Sequence, residues 1–118
     1  MEDFNITSDY LYNSALGLYK DGHFNAARKA IEMIIETDSL DIIQNLFYFK
    51  VLIKIGGNLS GNDYFSNSEK AKILFNELIG NDEIKSNKEL KKQFSDLLKD
   101  YEEFRGKIHD LKFGRNHF

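Results

Sequence analysis

The segment from Leu40 to Ile55 is apolar around almost its whole circumference, and it constrains the fold more than any other part of the chain. Eleven of its sixteen residues are apolar or tyrosine, and its only charges are Asp41, Lys50 and Lys54. A helix of this kind must be covered on most sides, and it is too short and too interrupted to span a bilayer. We expect it to be the central helix of a layered bundle. The alternative is that part of its surface is an open apolar groove that awaits a ligand.

The rest of the chain is long enough to provide that cover. Its 118 residues make one domain, and a chain of this length buries about two-thirds of its unfolded surface. Cysteine is absent, which excludes a disulfide framework, a thiolate metal site and a cysteine nucleophile. Proline is also absent, which favours helices joined by Gly, Asn and Asp turns over a β-sandwich.

Apolar spacing and end signals predict five helices and no strand, so the predicted fold class is all-α. The predicted helices span residues 8–20, 25–37, 40–55, 66–79 and 86–113. A glycine-rich segment, 56–66, is expected to be a loop. Capping side chains are expected before four of the helices: Thr7 or Ser8, the pair Asp38–Ser39, and the first residues of two Ser-x-x-Glu capping boxes, Ser66 and Ser86.

Two predicted turns lie 34 residues apart, at Gly22 and Gly56, and the residues around the first follow a regular pattern of large and small side chains. This pattern resembles the tetratricopeptide repeat (TPR), in which small residues allow two antiparallel helices to pack closely. The residues that carry the resemblance are Leu11, Ala15, Leu18, Gly22, Phe24, Ala27 and Ile31.

The resemblance implies an antiparallel helix-pair array within a single domain, 1–118. Repeat one would span about 8–39, repeat two about 40–80 with the inserted loop 56–66, and a long C-terminal capping helix about 86–113. The second repeat departs from the pattern, because Phe49 occupies the small-residue place. The alternative is a generic antiparallel bundle with a coincidental period.

Residues suited to catalysis or metal binding are scattered along the chain. No two of His23, His109 and His117 are one helical turn apart, and no HExxH, phosphate-binding or GxSxG motif occurs. We therefore expect no enzyme, no catalytic residue, no metal and no cofactor. The net charge is −3, and the lysines between Lys85 and Lys92 are interleaved with acids, so nucleic acid is not an expected partner.

The first residues, Met1 to Phe4, are acidic, unlike a secretory or mitochondrial presequence. No apolar run reaches the length of a membrane span. We expect a cytoplasmic protein without membrane insertion, and a nuclear location stays open.

The resemblance also implies a partner-binding groove, because TPR modules bind their partners on the surface formed by the first helix of each pair. The family register assigns nine residues to it: Tyr12, Leu16, Tyr19, Lys20, Ile43, Leu46, Lys50, Ile53 and Lys54. With three lysines, and one acid nearby at Asp9, this groove suits a peptide or helix with apolar anchors and acidic residues. The implied function is a protein-interaction module, an adaptor or a small complex subunit. The alternative is that the last helix or the N-terminus covers these residues.

The last predicted helix carries a second apolar stripe. Its residues are spaced alternately by four and three, as in three heptads of a coiled coil: Leu90, Phe94, Leu97, Tyr101, Phe104, Ile108 and Leu111. We expect the distal part, Tyr101, Phe104, Ile108 and Leu111, to overhang the array as a second interaction surface. This gives an alternative function, a structural homo-oligomer such as a homodimer. The stripe could instead be internal core.

Overall fold

The structure is a computed structural model. It describes residues 7–56 and 63–113, and it describes only the backbone of Gly56, residues 63–66, Phe104 and residues 107–113. This part of the chain forms six helices and no strand, which confirms the all-α prediction. The helices are α1 (Ser8–Lys20), α2 (Phe24–Thr37), α3 (Ile42–Gly56), α4 (Asp63–Ile79), α5 (Asp82–Ser86) and α6 (Lys88–Phe113).

Gly22 sets the turn between α1 and α2. Its φ of +87° lies in the left-handed region, which glycine adopts without steric cost. The N–H of Gly22 donates to the Tyr19 carbonyl at 3.0 Å. The N–H of His23 donates to the Leu18 carbonyl at 2.8 Å. This is the Schellman arrangement, and a connection this short makes α1 and α2 antiparallel neighbours.

The caps of α1 and α3 differ in part from the predicted ones. Thr7 caps α1, because its Oγ1 accepts a backbone N–H of the first turn at 3.1 Å. α3 begins two residues later than predicted, because Asp41 and Gln44 each accept the backbone N–H of the other, at 2.8 and 3.1 Å. Asp38 is not the cap. It accepts the Ser8 hydroxyl at 3.0 Å and so ties the end of α2 to the start of α1.

The capping box predicted at Ser66 is wrong, because α4 already begins at Asp63. The predicted loop 56–66 is therefore shorter, and residues 57–62 lie outside the described residues.

The capping box predicted at Ser86 is also wrong. Ser86 is the last residue of the additional short helix α5, and its hydroxyl donates back to the Asp82 carbonyl at 3.0 Å. Asn87 caps α6 instead, because its Oδ1 accepts the N–H groups of Glu89 and Leu90 at 2.9 and 3.1 Å. The long C-terminal helix therefore begins two residues later than predicted.

α3 is the central helix, as predicted. It contacts α2, α4 and α6, and seven of its side chains are buried: Leu46, Tyr48, Phe49, Val51, Leu52, Ile53 and Ile55. Its exposed described side chains are Ile43, Lys50 and Lys54. Their spacing of seven and four places them on one stripe of the helix.

Four aromatic rings join α3, α4 and α6, and we term them the aromatic cluster: Phe49, Phe75, Phe94 and Tyr101. The centroid of the Phe49 ring lies 6.5 Å from Phe75, 6.2 Å from Phe94 and 5.2 Å from Tyr101. Tyr101 also stacks on Phe75 at 4.9 Å. The first half of α6 therefore packs against the ring of Phe49. This is the residue that departs from the TPR pattern.

The aromatic cluster brings the beginning of the heptad stripe into the core. Tyr101 is only 3% exposed, so it belongs to the core and does not form an exposed second surface as predicted. The side chains of Phe104, Ile108 and Leu111 lie outside the described residues, and their predicted overhang stays a prediction.

A larger side chain at position 27 tests the close approach of α1 and α2. Ala15 and Ala27 are both completely buried in the core, so a larger side chain at either position has no free space. We expect Ala27→Leu to lower the free energy of unfolding by roughly 1–3 kcal/mol through overpacking. Ala26→Leu is the matched control, because Ala26 is exposed on the same helix. Urea unfolding measures both, and equal stability of the two variants would contradict the close packing.

Candidate functional site

A pocket of about 430 Å³ lies open between α1, α3 and α6. We term it the groove and define it by the residues that line it: Tyr12 of α1; Ile43, Leu46, Phe47 and Lys50 of α3; and Gln93, Asp96, Leu97 and Asp100 of α6. Four predicted groove residues are brought together here: Tyr12, Ile43, Leu46 and Lys50. α6 forms one wall of the groove and leaves the groove open.

Aromatic rings form the wall where α1 meets α3. Tyr12 and Tyr19 both meet the Phe47 ring edge-on, with centroids 5.6 and 5.5 Å away. The Lys50 ammonium lies 5.1 Å from the centroid of the Tyr19 ring, a cation–π contact. Tyr19 therefore lies next to two residues of the groove, Phe47 and Lys50.

Both tyrosines of this wall keep their protons at neutral pH. Burial raises the pKa of Tyr12, and the charge of Asp41 raises it further. Burial also raises the pKa of Tyr19, with a smaller contribution from the charge of Asp100. The two phenols can therefore act as hydrogen-bond donors as well as acceptors toward a bound molecule.

The other predicted groove residues lie outside the wall. Leu16 is 38% exposed on α1, and Lys20 and Lys54 are exposed as well, but none of the three lines the pocket. Ile53 is 8% exposed and belongs to the core, because the exposed stripe of α3 passes through Ile43, Lys50 and Lys54.

The prediction from sequence missed the α6 wall, which consists of Gln93, Asp96, Leu97 and Asp100. It also missed Phe47, the ring that both tyrosines contact. One signal for this wall was present: Asp96 and Asp100 are one helical turn apart on either side of Leu97, a heptad position of the apolar stripe. The overhang predicted from sequence concerned only the distal part of this stripe, and the prediction did not say which helix the first part, with Leu97, packs against.

The charge of the groove differs from the expected one. Its wall holds one cation, Lys50, and two anions, Asp96 and Asp100. Within residues 7–56 and 63–113, the ion pairs shorter than 4 Å involve Glu32 and Glu102, and none includes these three groups. The lysine-rich groove that favoured an acidic partner is therefore a groove of mixed sign with an excess of negative charge.

A second recess, of about 440 Å³, lies between α2, α3 and α4. Its apolar wall includes Ile35 and Ile73, both largely exposed. Two of its charged groups are already engaged inside the chain: Lys70 donates to Glu32 at 2.9 Å, and Asp38 accepts the Ser8 hydroxyl. The recess thus offers less polar recognition than the groove.

A polar network near this recess is the other place where charged groups meet. The Glu32 carboxylate of α2 accepts three hydrogen bonds, from Arg28 at 2.9 Å, Tyr48 at 2.7 Å and Lys70 at 2.9 Å. It therefore links α2 to α3 and α4. Both oxygens of Glu32 are therefore engaged within the chain.

The pKa of Glu32 follows from this network. Burial acts to raise it, but the hydrogen bonds from Tyr48 and Lys70 and the charges of Arg28 and Lys70 outweigh burial, so the pKa is lowered. Burial and the contact with Glu32 raise the pKa of Tyr48. Both shifts favour the state in which the phenol donates to the carboxylate. No group of three or more His, Asp or Glu side chains suited to a metal ion occurs among the described residues.

Comparisons with protein-family models, with curated proteins and with solved structures found no significant match. In the part of the chain that the structure describes, no helix has the length and hydrophobicity needed to cross a bilayer.

The Glu32 network predicts a pH-dependent contribution to stability. A carboxylate whose pKa is lowered by folding stabilises the protein above its unfolded pKa of about 4.3, and this stabilisation is lost as the pH falls through the folded pKa. At pH 7 we expect Glu32→Gln to lower the free energy of unfolding by roughly 1–3 kcal/mol. The difference from the wild type should shrink below about pH 4.

Urea unfolding across this pH range measures the effect, with Glu36→Gln as the control, because Glu36 is exposed one turn further along α2. A deficit of Glu32→Gln that stays constant with pH would contradict the account of the network.

Proposed function

We propose that the protein is an interaction module, without catalytic activity, that binds a segment of a partner protein in the groove, as an adaptor or a small subunit of a larger complex. The observation that carries the proposal is an open pocket with an apolar floor and charged side chains that form no ion pair with each other. The floor is formed by Tyr12, Leu46, Phe47 and Leu97. Grooves of this composition hold the apolar anchors of a peptide or helix, while polar groups at the rim fix its register.

The exposure of Ile43 supports a partner larger than the pocket itself. This residue lines the groove at the beginning of α3, and it remains 48% exposed. A molecule confined to the pocket would leave part of this side chain in water. A peptide or helix that continues past the end of the pocket would cover it and would gain apolar contact.

We also propose that the array is TPR-like, with α1–α2 and α3–α4 as helix pairs and α6 as the capping helix. Three observations support it: Ala15 and Ala27 are fully buried, Gly22 ends α1 in the left-handed region, and α6 packs beside α3. The groove is then lined by the first helix of each pair and by the cap. That surface is the one through which modules resembling TPRs bind partners.

Selection from a randomised peptide library displayed on phage tests the proposed function. We expect the folded protein to enrich peptides with apolar anchors, and Ile43→Glu to abolish their binding because it places a charge on the rim of the groove. Ile73→Glu is the matched control: Ile73 is a similarly exposed isoleucine, 57% exposed, on α4 outside the groove. Fluorescence anisotropy measures binding, and circular dichroism confirms that both variants are folded.

Two outcomes would contradict the proposal. The first is that no peptide is enriched by the folded protein. The second is that Ile43→Glu and Ile73→Glu weaken binding equally, which would place the binding surface elsewhere.

A second proposal is the homo-oligomer formed through α6. The observation in its favour is that α6 continues for twelve residues beyond Tyr101, to Phe113. At 1.5 Å per residue this is about 18 Å of helix, and the heptad spacing persists through it. A second copy of α6 could pack against this part as in a coiled coil.

Light scattering of the wild type and of Phe104→Asp tests the homo-oligomer. If the proposal holds, the wild type has at least twice the chain mass, and the variant is a folded monomer, because a charge at a heptad position opposes packing against a second helix. A monomeric wild type would contradict the homo-oligomer. If Phe104→Asp also unfolds the chain, the stripe is internal core.

A further inference from the structure

We infer that the groove selects partner segments that carry a basic residue beside their apolar anchors, placed against Asp96 and Asp100. This inference rests on the proposed function, since it concerns the partner of the same groove. It reverses the expectation from sequence, which was an acidic partner.

The two carboxylates form one acidic site on α6. Asp96 and Asp100 are both exposed, both line the groove, and lie one turn apart on the same face of the helix. Two like charges at this spacing destabilise a helix. Among the described residues, the ion pairs include neither carboxylate.

One basic side chain of a partner could contact both carboxylates. Residues four apart on a helix have Cβ atoms about 5–6 Å apart, and an arginine guanidinium offers five N–H donors in a planar fork. A lysine ammonium offers three donors from a single point. The site therefore suits arginine or lysine, and an acidic partner would meet repulsion there.

Lys50 defines the direction from which the basic residue enters. Its ammonium rests over the Tyr19 ring at 5.1 Å, and the charge of Asp100 acts on the same ring. Lys50 belongs to the α3 wall of the groove and Asp100 to the α6 wall. A basic side chain of the partner is repelled by Lys50 on the α3 wall and attracted by the aspartates on the α6 wall. The favoured orientation of the partner is therefore the one that places this side chain against α6.

The peptide selection described above supplies the probe. We expect the enriched peptides to share a lysine or arginine at a fixed distance from an apolar anchor. The double variant Asp96→Asn/Asp100→Asn should bind such a peptide about three- to twenty-fold more weakly, and added salt should weaken the wild type in the same direction. Asp82→Asn is the control, because Asp82 is an exposed aspartate on α5 outside the groove.

Two further variants should affect peptide binding differently from the double variant. Lys50→Gln should strengthen the binding of a basic peptide, because it removes a like charge. Asp100→Lys should shift the selected peptides from basic to acidic residues at the same position. Circular dichroism checks the fold of each variant. The salt dependence of the wild type tests the inference even if a variant does not fold.

The possible failures are distinguishable. If no peptide binds, the proposed function itself fails. If peptides bind and Ile43→Glu abolishes binding, but the double variant binds as tightly as Asp82→Asn, the groove is functional and the acidic site on α6 is overturned. Enrichment of acidic peptides by the wild type would overturn it as well.

Discussion

The aromatic cluster is the contact on which the rest of the arrangement depends. The rings of Phe49, Phe75, Phe94 and Tyr101 attach α6 to α3 and α4. Because Phe94 and Tyr101 lie on the same side of α6, their packing sets the rotation of this helix about its own axis. That rotation brings Leu97 and the two aspartates to the groove. The core contact thus decides which charged side chains line the groove.

The central position of α3 and the turn at Gly22 could be predicted because their causes are local. A segment that is apolar all round has to be buried, and a glycine after a helix end favours a left-handed turn. The helix starts were less predictable, because several side chains compete for each cap. Asp41 caps α3 with the help of Gln44, while Asp38, a few residues earlier, bonds to Ser8.

The α6 wall of the groove could not be predicted with the same certainty, because its position depends on contacts between distant parts of the chain. The heptad spacing identifies which face of α6 is apolar, but it does not say whether the face meets α3, a second copy or a partner. The structure answers this for the first half of the stripe. Once α6 packs beside α3, Asp96 and Asp100 line the pocket together with Lys50, while Lys20 and Lys54 lie outside it, so the net charge of the lining is negative.

The distance in sequence between the partners of the aromatic cluster also orders the assembly of the protein. Phe49 and Tyr101 are 52 residues apart, whereas α1 and α2 are joined by a three-residue turn. Closing the longer loop costs more chain entropy, so we expect these contacts to form after those between α1 and α2. The groove is therefore completed only when α6 docks. A partner of the kind proposed above that touches both walls would hold α6 in place, because a ligand that binds only the docked state stabilises that state.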